Sequence, residues 1–310
     1  MPDTRAPTDK RASQPVRRVP RAEVPDPRRP VVLITGASQG IGRATAELYA
    51  ARGSRLVLCA RSADTLAEVR RACEDLGAAV EVVVVDVADD AQVEHAVAVA
   101  VRRFGRLDIC VHVAGIAAYG VHTETTAAVF AQVIGTNLIG SANVARSSLT
   151  VFRAQGAGVL VIVGSLLGRV AVPGMGAYVA SKWGLRGLVR VLQQENRDLP
   201  GVKITSVAPG SVRTAIYSNS VGGEELSASP PPPSTSPRTV ARAIRSAAGR
   251  RAGEHDVDAL GGLANKALGA AFTLTPAAYD RLIGPLMRAL GASSTPAGAP
   301  AAAEAKKSRP

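Results

Sequence analysis

Short apolar runs alternate with stretches of helical periodicity along most of the chain. The apolar runs predict strands at residues 31–35, 55–60, 80–85, 107–113, 159–163 and 203–207. Helical periodicity predicts helices at residues 41–52, 65–76, 91–104, 127–152, 177–197 and 239–248. Continuous apolar strands that alternate with helices are typical of a parallel sheet covered on both faces. The predicted fold class is therefore α/β, with one doubly wound parallel sheet of six to seven strands.

The two ends of the chain and one internal segment depart from this alternation. Residues 1–29 are rich in Pro, Arg, Ser and Thr and predict a disordered leader, and residues 292–310 predict a disordered tail. Residues 218–237 contain four consecutive prolines and are either an inert linker or a mobile loop over a site; their position after a strand favours the loop. The remainder divides into a domain at residues 30–260 and an apolar C-terminal helical extension at residues 261–291.

Composition narrows the classes of partner. The 310 residues are 46% hydrophobic, enough to bury a substantial core, and carry a net charge of +12. Such a charge can indicate a nucleic acid or a membrane surface as partner. It is also the result of a compositional bias towards Arg, which is the interpretation that we favour. Aromatic residues make up only 3% of the chain, which argues against base stacking, so no nucleic-acid partner is predicted.

Cysteine and histidine usage argues against disulfides and metal sites. The chain has three Cys, in no CxxC pair, and four His without the spacing of metal ligands. We therefore predict free thiols, no metal and a cytoplasmic location. No run of eighteen apolar residues predicts a membrane-spanning helix, and the N-terminus has no apolar signal core.

A glycine-rich turn joins the first predicted strand to the first predicted helix. Gly36, Gly40 and Gly42 stand in the segment VVLITGASQGIGRATAELYA. Glycines in this context allow a tight turn and let backbone N–H groups approach a pyrophosphate at the helix N-terminus. The turn therefore predicts a dinucleotide site, because both the strand before it and the helix after it are present.

The residues after the second predicted strand indicate which dinucleotide is bound. Enzymes that use NAD usually have an acid at this point, whereas this chain has Ala60 followed by Arg61. A guanidinium can pair with a 2′-phosphate, so we predict NADP(H), with NAD(H) as the less favoured cofactor. Ser38 and Arg43 are candidates for further phosphate contacts. The alternative is that Arg61 is a solvated Arg on the surface of an Arg-rich protein.

Six motifs in order along the chain carry a family resemblance. They are TGASQGIG at 35–42, DV at 86–87, Asn137 in GTNLIG, Ser165 in VGSLLG, YVASK at 178–182 and PGSVRT at 209–214. With these motifs the chain resembles the short-chain dehydrogenase/reductase family over about residues 31–260. The resemblance implies a Rossmann-type fold and a substrate that is an alcohol or a carbonyl compound.

The resemblance also implies the residues of the site. The catalytic tetrad would be Asn137, Ser165, Tyr178 and Lys182. The cofactor would be bound by Gly36, Ser38, Gln39, Gly40, Ile41, Gly42, Arg61, Asp86, Val87, Ala114, Gly115, Tyr178, Lys182, Pro209, Gly210, Val212 and Thr214. Within this set Asp86 and Val87 would flank the adenine, and Thr214 would meet the nicotinamide carboxamide.

The residue types of the tetrad agree with proton transfer. A free Tyr has a pKa of about 10, too high for a base near neutrality. Lys182 lies four residues after Tyr178, on the same helix face, and a cation at a few ångströms predicts a Tyr pKa lowered by roughly one to three units. Ser165 would orient the substrate oxygen. The family further implies that Lys182 holds the nicotinamide ribose and that Asn137 supports a water leading from Lys182 to solvent.

One segment departs from the family pattern. The family usually has Asn-Asn-Ala-Gly after the fourth strand, whereas this chain has His112, Val113, Ala114 and Gly115. We expect His112 to replace one hydrogen bond of the lost Asn side chains and Val113 to replace none. The departure indicates either weakened cofactor binding or a tolerated variant, and the intact tetrad favours the variant.

Two functions of different class remain open. The first is an NADP(H)-dependent oxidoreductase that interconverts a secondary alcohol and a ketone or aldehyde, with Tyr178 as acid and base. The second is a dinucleotide-binding pseudoenzyme or sensor. Because few charged residues flank Tyr178, with Arg169 the nearest on its N-terminal side, we predict a small, fairly apolar substrate, in a pocket shaped by Gly120, Met175 and the loop at 218–237. A homodimer or homotetramer is expected, and membrane contact of the C-terminal helices is a minority hypothesis.

Overall fold

A computed structural model of the chain describes residues 29–221 and 230–289. In these ranges the strands are β1 (Val31–Thr35), β2 (Arg55–Ala60), β3 (Val80–Val84), β4 (Ile109–His112), β5 (Gly158–Val163), β6 (Val202–Pro209), β7 (Ser211–Val212), β8 (Ser234–Thr235) and β9 (Gly253–Val257). The α-helices are α1 (Gly40–Ala50), α2 (Ala63–Asp75), α3 (Asp90–Phe104), α4 (Ala127–Ile134), α5 (Gly140–Gln155), α6 (Gly176–Glu195), α7 (Pro237–Ala248), α8 (Leu263–Leu274) and α9 (Pro276–Ala289).

The main sheet confirms the predicted doubly wound architecture. Its seven described strands are all parallel, in the order β3-β2-β1-β4-β5-β6-β9. The strand order reverses between β1 and β4, which pair in register from Val32 with Ile109 to Thr35 with His112. In such sheets, the crevice outside the carboxyl ends of the strands at this reversal is where ligands bind.

Helices cover both faces of the sheet because each has one apolar stripe. On one face α1, α2 and α7 bury residues such as Tyr49, Leu66 and Ile244. On the other face α3, α5 and α6 bury residues such as Val97 and Phe152. Strands buried on both sides have no polar face, which explains the continuous apolar runs of the sequence.

Helix α7 begins earlier than the sequence predicts. The side chain of Ser236 caps the helix by accepting a hydrogen bond from the backbone N–H of Thr239, and Pro237 occupies the first turn. Both residue types are favoured at these positions, since the cap satisfies an otherwise free N–H and proline has none to lose. Shortly before α7, Ser234 and Thr235 pair in parallel with Ser211 and Val212.

The helix predicted at residues 127–152 is interrupted. A π-helical turn, Gly135–Ile139, separates α4 from α5. Helices with such turns are often found at functional sites. By length and mean hydropathy (1.3) residues 127–155 could cross a membrane, which the sequence prediction did not expect. Their packing is that of a core helix, since α5 lies against α3 and β5 and buries Asn143 and Ser148.

Several predictions concern residues outside the described ranges. They are the disordered leader up to residue 28, the part of the 218–237 loop at residues 222–229, and the tail after residue 289. The C-terminal helical extension is described and consists of α8 and α9. The division of the chain into domains stays a prediction.

Candidate active site

A cleft of about 390 Å³ lies at the carboxyl ends of β1, β2, β3 and β4, and we call it the glycine cleft. Gly36 has φ +66°, and a Cβ there would come within 2.7 Å of the backbone N of Ala114. A Cβ at Gly42 would lie 1.9 Å from the carbonyl oxygen of Gly36. The glycines therefore let the turn fold tightly on itself and on the loop after β4.

Most of the residues predicted to bind the cofactor line this cleft. They are Gly36, Ser38, Gln39, Gly40, Ile41, Arg61, Asp86, Val87, Ala114, Gly115 and Thr214. Among the described residues, Gly42 is not part of the lining and instead packs beneath the turn. Gln39 precedes the first turn of α1 and makes no side-chain capping hydrogen bond, so the N–H groups of that turn have no side-chain cap. This arrangement fits the pyrophosphate of a dinucleotide.

The end of the cleft near β2 carries one basic and one acidic side chain. Arg61 is exposed and directly follows β2, while Ala60 is buried. In the described ranges Asp86 is the acid of the lining, and its Oδ1 accepts a hydrogen bond from the N–H of Ala88. Arg43, predicted as a phosphate contact, instead forms a 2.9 Å ion pair with Glu47 and lies outside the lining.

Sequence reasoning missed several residues of the lining. Ser62 and Thr65 follow Arg61 at the start of α2, so their place in the sequence beside Arg61 was a usable signal. The others reach the cleft from β2, from the π-helical turn and from the segment after β7, and of these only Thr136 stood in a quoted motif, GTNLIG. The missed residues include Cys59, Ser62, Thr65, Thr136, Ala215 and Asn219.

A second and larger space, of about 580 Å³, adjoins the glycine cleft, and we call it the tyrosine cavity. The two share lining residues, among them Ile41, Gly115 and Thr214. The other predicted site residues in the wall of the tyrosine cavity are Ser165, Tyr178, Lys182, Pro209, Gly210 and Val212. The structure therefore brings three members of the predicted tetrad to one space beside the candidate cofactor cleft.

Tyr178 and Lys182 lie one turn apart on α6, and Ser165 follows β5. The Lys182 Nζ is 5.6 Å from the centroid of the Tyr178 ring and donates a 3.2 Å hydrogen bond to the carbonyl of Val163. The Ser165 Oγ accepts a 3.1 Å hydrogen bond from the N–H of Leu167 and is the N-cap of a short 3₁₀ turn. The cap fixes the Ser165 side chain at the mouth of β5.

The predicted lowering of the Tyr178 pKa is wrong for the ligand-free protein. Burial raises the pKa of Tyr178 to about 12, although hydrogen bonding to Ser165 acts in the opposite direction. Burial also lowers the pKa of Lys182 to about 8. Both shifts have one cause: a buried site disfavours phenolate and ammonium alike, and this outweighs their attraction. At neutral pH the phenol is therefore protonated.

Asn137 sits in the π-helical turn and is completely buried. Its Oδ1 accepts from the N–H of Ile116 at 2.9 Å, and its Nδ2 donates to the carbonyl of Ile116 and to the Ser181 Oγ. Among the described residues it lines neither space. The side chain therefore ties the loop after β4 to α6, the helix that carries Tyr178. The predicted water contact stays a prediction.

His112 replaces more than the single hydrogen bond expected from the sequence. Its Nδ1 lies 2.8 Å from the Thr35 Oγ1, and its Nε2 lies 2.8 Å from the Ser141 Oγ. Burial lowers its pKa to about 3, so the ring is neutral and links β1, β4 and α5 without a charge. Val113 contributes through its backbone N–H, which donates to the Thr35 Oγ1 at 3.2 Å.

Helices α8 and α9 form the apolar roof of the tyrosine cavity. Their contribution to the lining consists mainly of Leu268, Ala271, Ile283, Leu286 and Met287. The Tyr279 hydroxyl donates a 2.7 Å hydrogen bond to the carbonyl of Ala171 and so attaches α9 to the loop before α6. Of the alternatives for the C-terminal extension, capping the pocket is the one observed.

The remaining pocket predictions are partly met. Met175 and Pro231–Pro233 line the cavity, whereas Gly120, which forms a bridge with Met175, lies outside the lining. The Arg169 side chain is held in ion pairs with Glu254 at 2.8 Å and with Asp256 at 2.9 Å. Arg169 is therefore not part of the lining that the described residues form.

Comparison with known proteins identifies the family. Residues 30–224 match the family model described as short chain dehydrogenase. The chain belongs to this family. Dehydrogenase/reductase SDR family member 7 of Homo sapiens is 34% identical over 198 residues, which are 63% of this chain and 58% of that protein. Levodione reductase of Leifsonia aquatica is 38% identical over 194 residues, which are 62% of this chain and 72% of that protein. The chain thus spans less than two thirds of the human relative in this match.

Solved structures of short-chain dehydrogenases show the same fold. An alcohol dehydrogenase from the archaeon Thermococcus sibiricus, complexed with 5-hydroxy-NADP, has a TM-score of 0.65 and 29% identity and covers 74% of this chain and 97% of its own. A short-chain dehydrogenase/reductase from Burkholderia phymatum, in complex with NAD, has a TM-score of 0.69 and 28% identity and covers 83% of this chain and 96% of its own. The predicted family and the predicted Rossmann-type fold are therefore confirmed.

Proposed function

We propose that the protein is an NADP(H)-dependent oxidoreductase that interconverts a secondary alcohol and a ketone or aldehyde. The observation that carries the proposal is the joint placement of Ser165, Tyr178 and Lys182 in the wall of a cavity that adjoins the glycine cleft. Relatives whose names refer to a levodione reductase and to an alcohol dehydrogenase support this reaction class. The predicted homo-oligomer and cytoplasmic location stay predictions from the sequence.

The glycine cleft binds the cofactor in this proposal, and residues of the tyrosine cavity carry out the proton transfer. A nicotinamide dinucleotide, when bound, supplies or accepts the hydride. Tyr178, protonated at neutral pH, donates its proton to the oxygen of a carbonyl substrate during reduction and takes it back during oxidation. The Ser165 hydroxyl holds the same oxygen in place. Lys182, with a pKa of about 8, is mostly charged at pH 7 and stabilises any negative charge that develops on the phenol oxygen.

Tyr178→Phe tests the reaction. We expect the variant to lose at least about a thousandfold in kcat for ketone reduction, because the proton donor is removed. Its affinity for NADPH should stay within about twofold, measured by quenching of Trp183 fluorescence or by calorimetry. Tyr49→Phe is the matched control, since the Tyr49 hydroxyl is buried outside both spaces and has no hydrogen-bond partner among the described residues.

The pseudoenzyme hypothesis predicts a different result. A protein that only holds the dinucleotide would bind NADPH, show no turnover with any ketone or alcohol of a broad panel, and be unaffected by Tyr178→Phe. Turnover by the wild type that disappears in Tyr178→Phe would exclude this hypothesis.

Arg61 carries the cofactor preference in this proposal. It directly follows β2, at the end of the cleft where the sequence pattern places the adenosine ribose, and the only acid among the described lining residues is Asp86, which follows β3. Arg61→Ala should weaken NADPH binding roughly tenfold to a hundredfold and leave NADH binding within about twofold. Arg52→Ala removes another exposed Arg, one outside the cleft, and should change neither dissociation constant. Equal losses for both dinucleotides would contradict the preference.

A further inference from the structure

The tyrosine cavity contains more hydrogen-bonding groups than one carbonyl oxygen requires. Ser165, Tyr178 and Lys182 serve the reacting oxygen in the proposed function. The cavity is otherwise lined largely by apolar side chains, but Tyr119, Ser211 and Tyr217 also line it. A phenol in an apolar wall makes the pocket selective for ligands that carry an oxygen at that point. A ligand without this oxygen binds more weakly, because it leaves the buried hydroxyl without a hydrogen-bond partner.

These hydroxyl groups lie close to the reacting phenol. The Tyr217 hydroxyl is 3.3 Å from the Ser211 Oγ. Tyr119 packs in the same apolar cluster as Tyr178, and its hydroxyl has no hydrogen-bond partner among the described residues. Each phenol influences its neighbours: Tyr217 raises the pKa of Tyr178, and both raise the pKa of Tyr119, although burial is the larger cause in each case. Three phenols thus line one cavity.

The other polar side chains of the lining are engaged in the fold. Asp258 accepts hydrogen bonds from the N–H groups of Leu260, Gly262 and Asn265. Asn265 donates to the carbonyl of Ala208 at 3.0 Å. Among the described residues of the lining, Lys182 and Asp258 are the charged ones, and both have partners. Lys182, the cation of the described lining, serves the reacting phenol in the proposed function. No other described side chain of this wall would neutralise a carboxylate or a phosphate, so we take a second ligand group at Tyr119 and Tyr217 to be neutral.

We propose that Tyr119, Tyr217 and Ser211 form a second oxygen-binding subsite, so that the substrate is a neutral, mostly apolar ketone or alcohol with a second hydroxyl or carbonyl oxygen. The apolar body of this substrate lies under the roof of α8 and α9, where Leu268, Ile283 and Met287 line the cavity. One of the two oxygens lies at Ser165 and Tyr178 and the other at Tyr119 and Tyr217. The inference rests on the proposed function, because it assigns the reacting oxygen to Tyr178.

The test compares ketones of one carbon skeleton. A bicyclic decalone and a set of hydroxydecalones, which differ in the position of the hydroxyl group, are reduced with NADPH by the wild type and by Tyr217→Phe, Tyr119→Phe and Ser211→Ala. We expect the wild type to prefer at least one hydroxydecalone about tenfold or more in kcat/KM. Tyr217→Phe and Tyr119→Phe should each lower this preference about threefold to tenfold, with the decalone itself changed less than twofold. Tyr49→Phe, the control outside the cavity, should keep the wild-type ratio.

Binding without turnover gives an independent readout. Decalin diols and the corresponding mono-alcohols are titrated calorimetrically into the protein with NADPH, a combination that cannot react. The second hydroxyl should tighten the dissociation constant in the wild type and have little effect in Tyr217→Phe. Thermal melting of each variant confirms that it is folded.

The outcomes separate the two proposals. The subsite would be overturned if the wild type shows no preference for hydroxydecalones, or if both Tyr variants keep the wild-type preference within twofold. Reduction of the decalone itself would in that case leave the proposed function intact. If no ketone is reduced but the diols bind more tightly than the mono-alcohols in a Tyr217-dependent manner, the subsite stands and the proposed function fails.

Discussion

The glycine cleft and the roof of the tyrosine cavity are built in different ways. The cleft depends on backbone: Gly36, Gly40 and Gly42 leave no room for a Cβ or adopt conformations that favour glycine. The roof depends on side chains of α8 and α9 that reach across from the far end of the chain, such as Ile283 and Met287. A backbone requirement restricts a position to one residue type, whereas an apolar wall accepts several. Substitutions should therefore act abruptly in the cleft and gradually in the roof.

Gly42→Ala should have the largest effect on stability. The new Cβ would meet the carbonyl oxygen of Gly36 at 1.9 Å, so the turn must move. We expect a loss of about 3 kcal/mol in the free energy of unfolding and no measurable NADPH binding. Gly187→Ala is the control: it lies in α6 with nothing within 4 Å of the added Cβ, and should stabilise the protein by roughly 0.5–1 kcal/mol. Urea unfolding measures the free energy of unfolding of both variants. Equal changes at Gly42 and Gly187 would contradict the steric requirement for glycine at Gly42.

Lys182 lies in the wall of the tyrosine cavity and should make stability rise with pH. Its pKa is about 8 when folded and near 10.5 when unfolded, so between these values the unfolded chain binds more protons. The stability that this shift contributes is complete above pH 10.5 and is lost as the pH falls to about 8. Between pH 7.5 and pH 10 the free energy of unfolding of the wild type should rise by about 2.5 kcal/mol relative to that of Lys182→Met, as measured by urea unfolding. A difference that does not change with pH would show that the amine is not buried as described.

His112 should produce the matching effect on the acid side. Its pKa is about 3 in the folded protein and 6.5 in the unfolded chain, so its contribution is complete above pH 6.5 and is lost as the pH falls towards 3. Between pH 7 and pH 5 the free energy of unfolding of the wild type should fall by about 2 kcal/mol more than that of His112→Asn. This variant restores the residue usual in the family. Guanidinium unfolding at the two pH values measures this, and parallel losses would contradict a neutral buried ring.

Substitutions in the roof formed by α8 and α9 should have the smallest effect on stability. Tyr279→Phe removes the hydrogen bond to the carbonyl of Ala171 and should lower the free energy of unfolding by about 1 kcal/mol. It should also raise the KM for large ketones a few-fold and leave NADPH affinity unchanged. Tyr49→Phe, which loses an unpaired hydroxyl, should be neutral or slightly stabilising. A loss of cofactor affinity in Tyr279→Phe would show that roof and cleft are coupled.

The family resemblance supplied the set of residues around Tyr178, whereas the sequence pattern by itself determined the sheet and the glycine turn. These features are local: an apolar run, a helix period, or a residue type that one backbone conformation demands can be recognised without knowledge of what packs against it. For the same reason Ser38 and Arg61 were found as lining residues of the cleft, whereas Gln39 was implied by the family resemblance.

Tertiary structure decided what depends on distant contacts. The pKa of Tyr178 is raised because the chain buries the phenol, a fact that the spacing to Lys182 does not contain. His112 makes two contacts because Thr35 and Ser141 meet it from other elements. The ion pair of Arg43 with Glu47 is local by contrast, since the two residues lie one turn apart on α1. The roof over the tyrosine cavity follows from the packing of α8 and α9 on the catalytic face. Burial and long-range pairing are properties of the folded chain, so only the fold could show them.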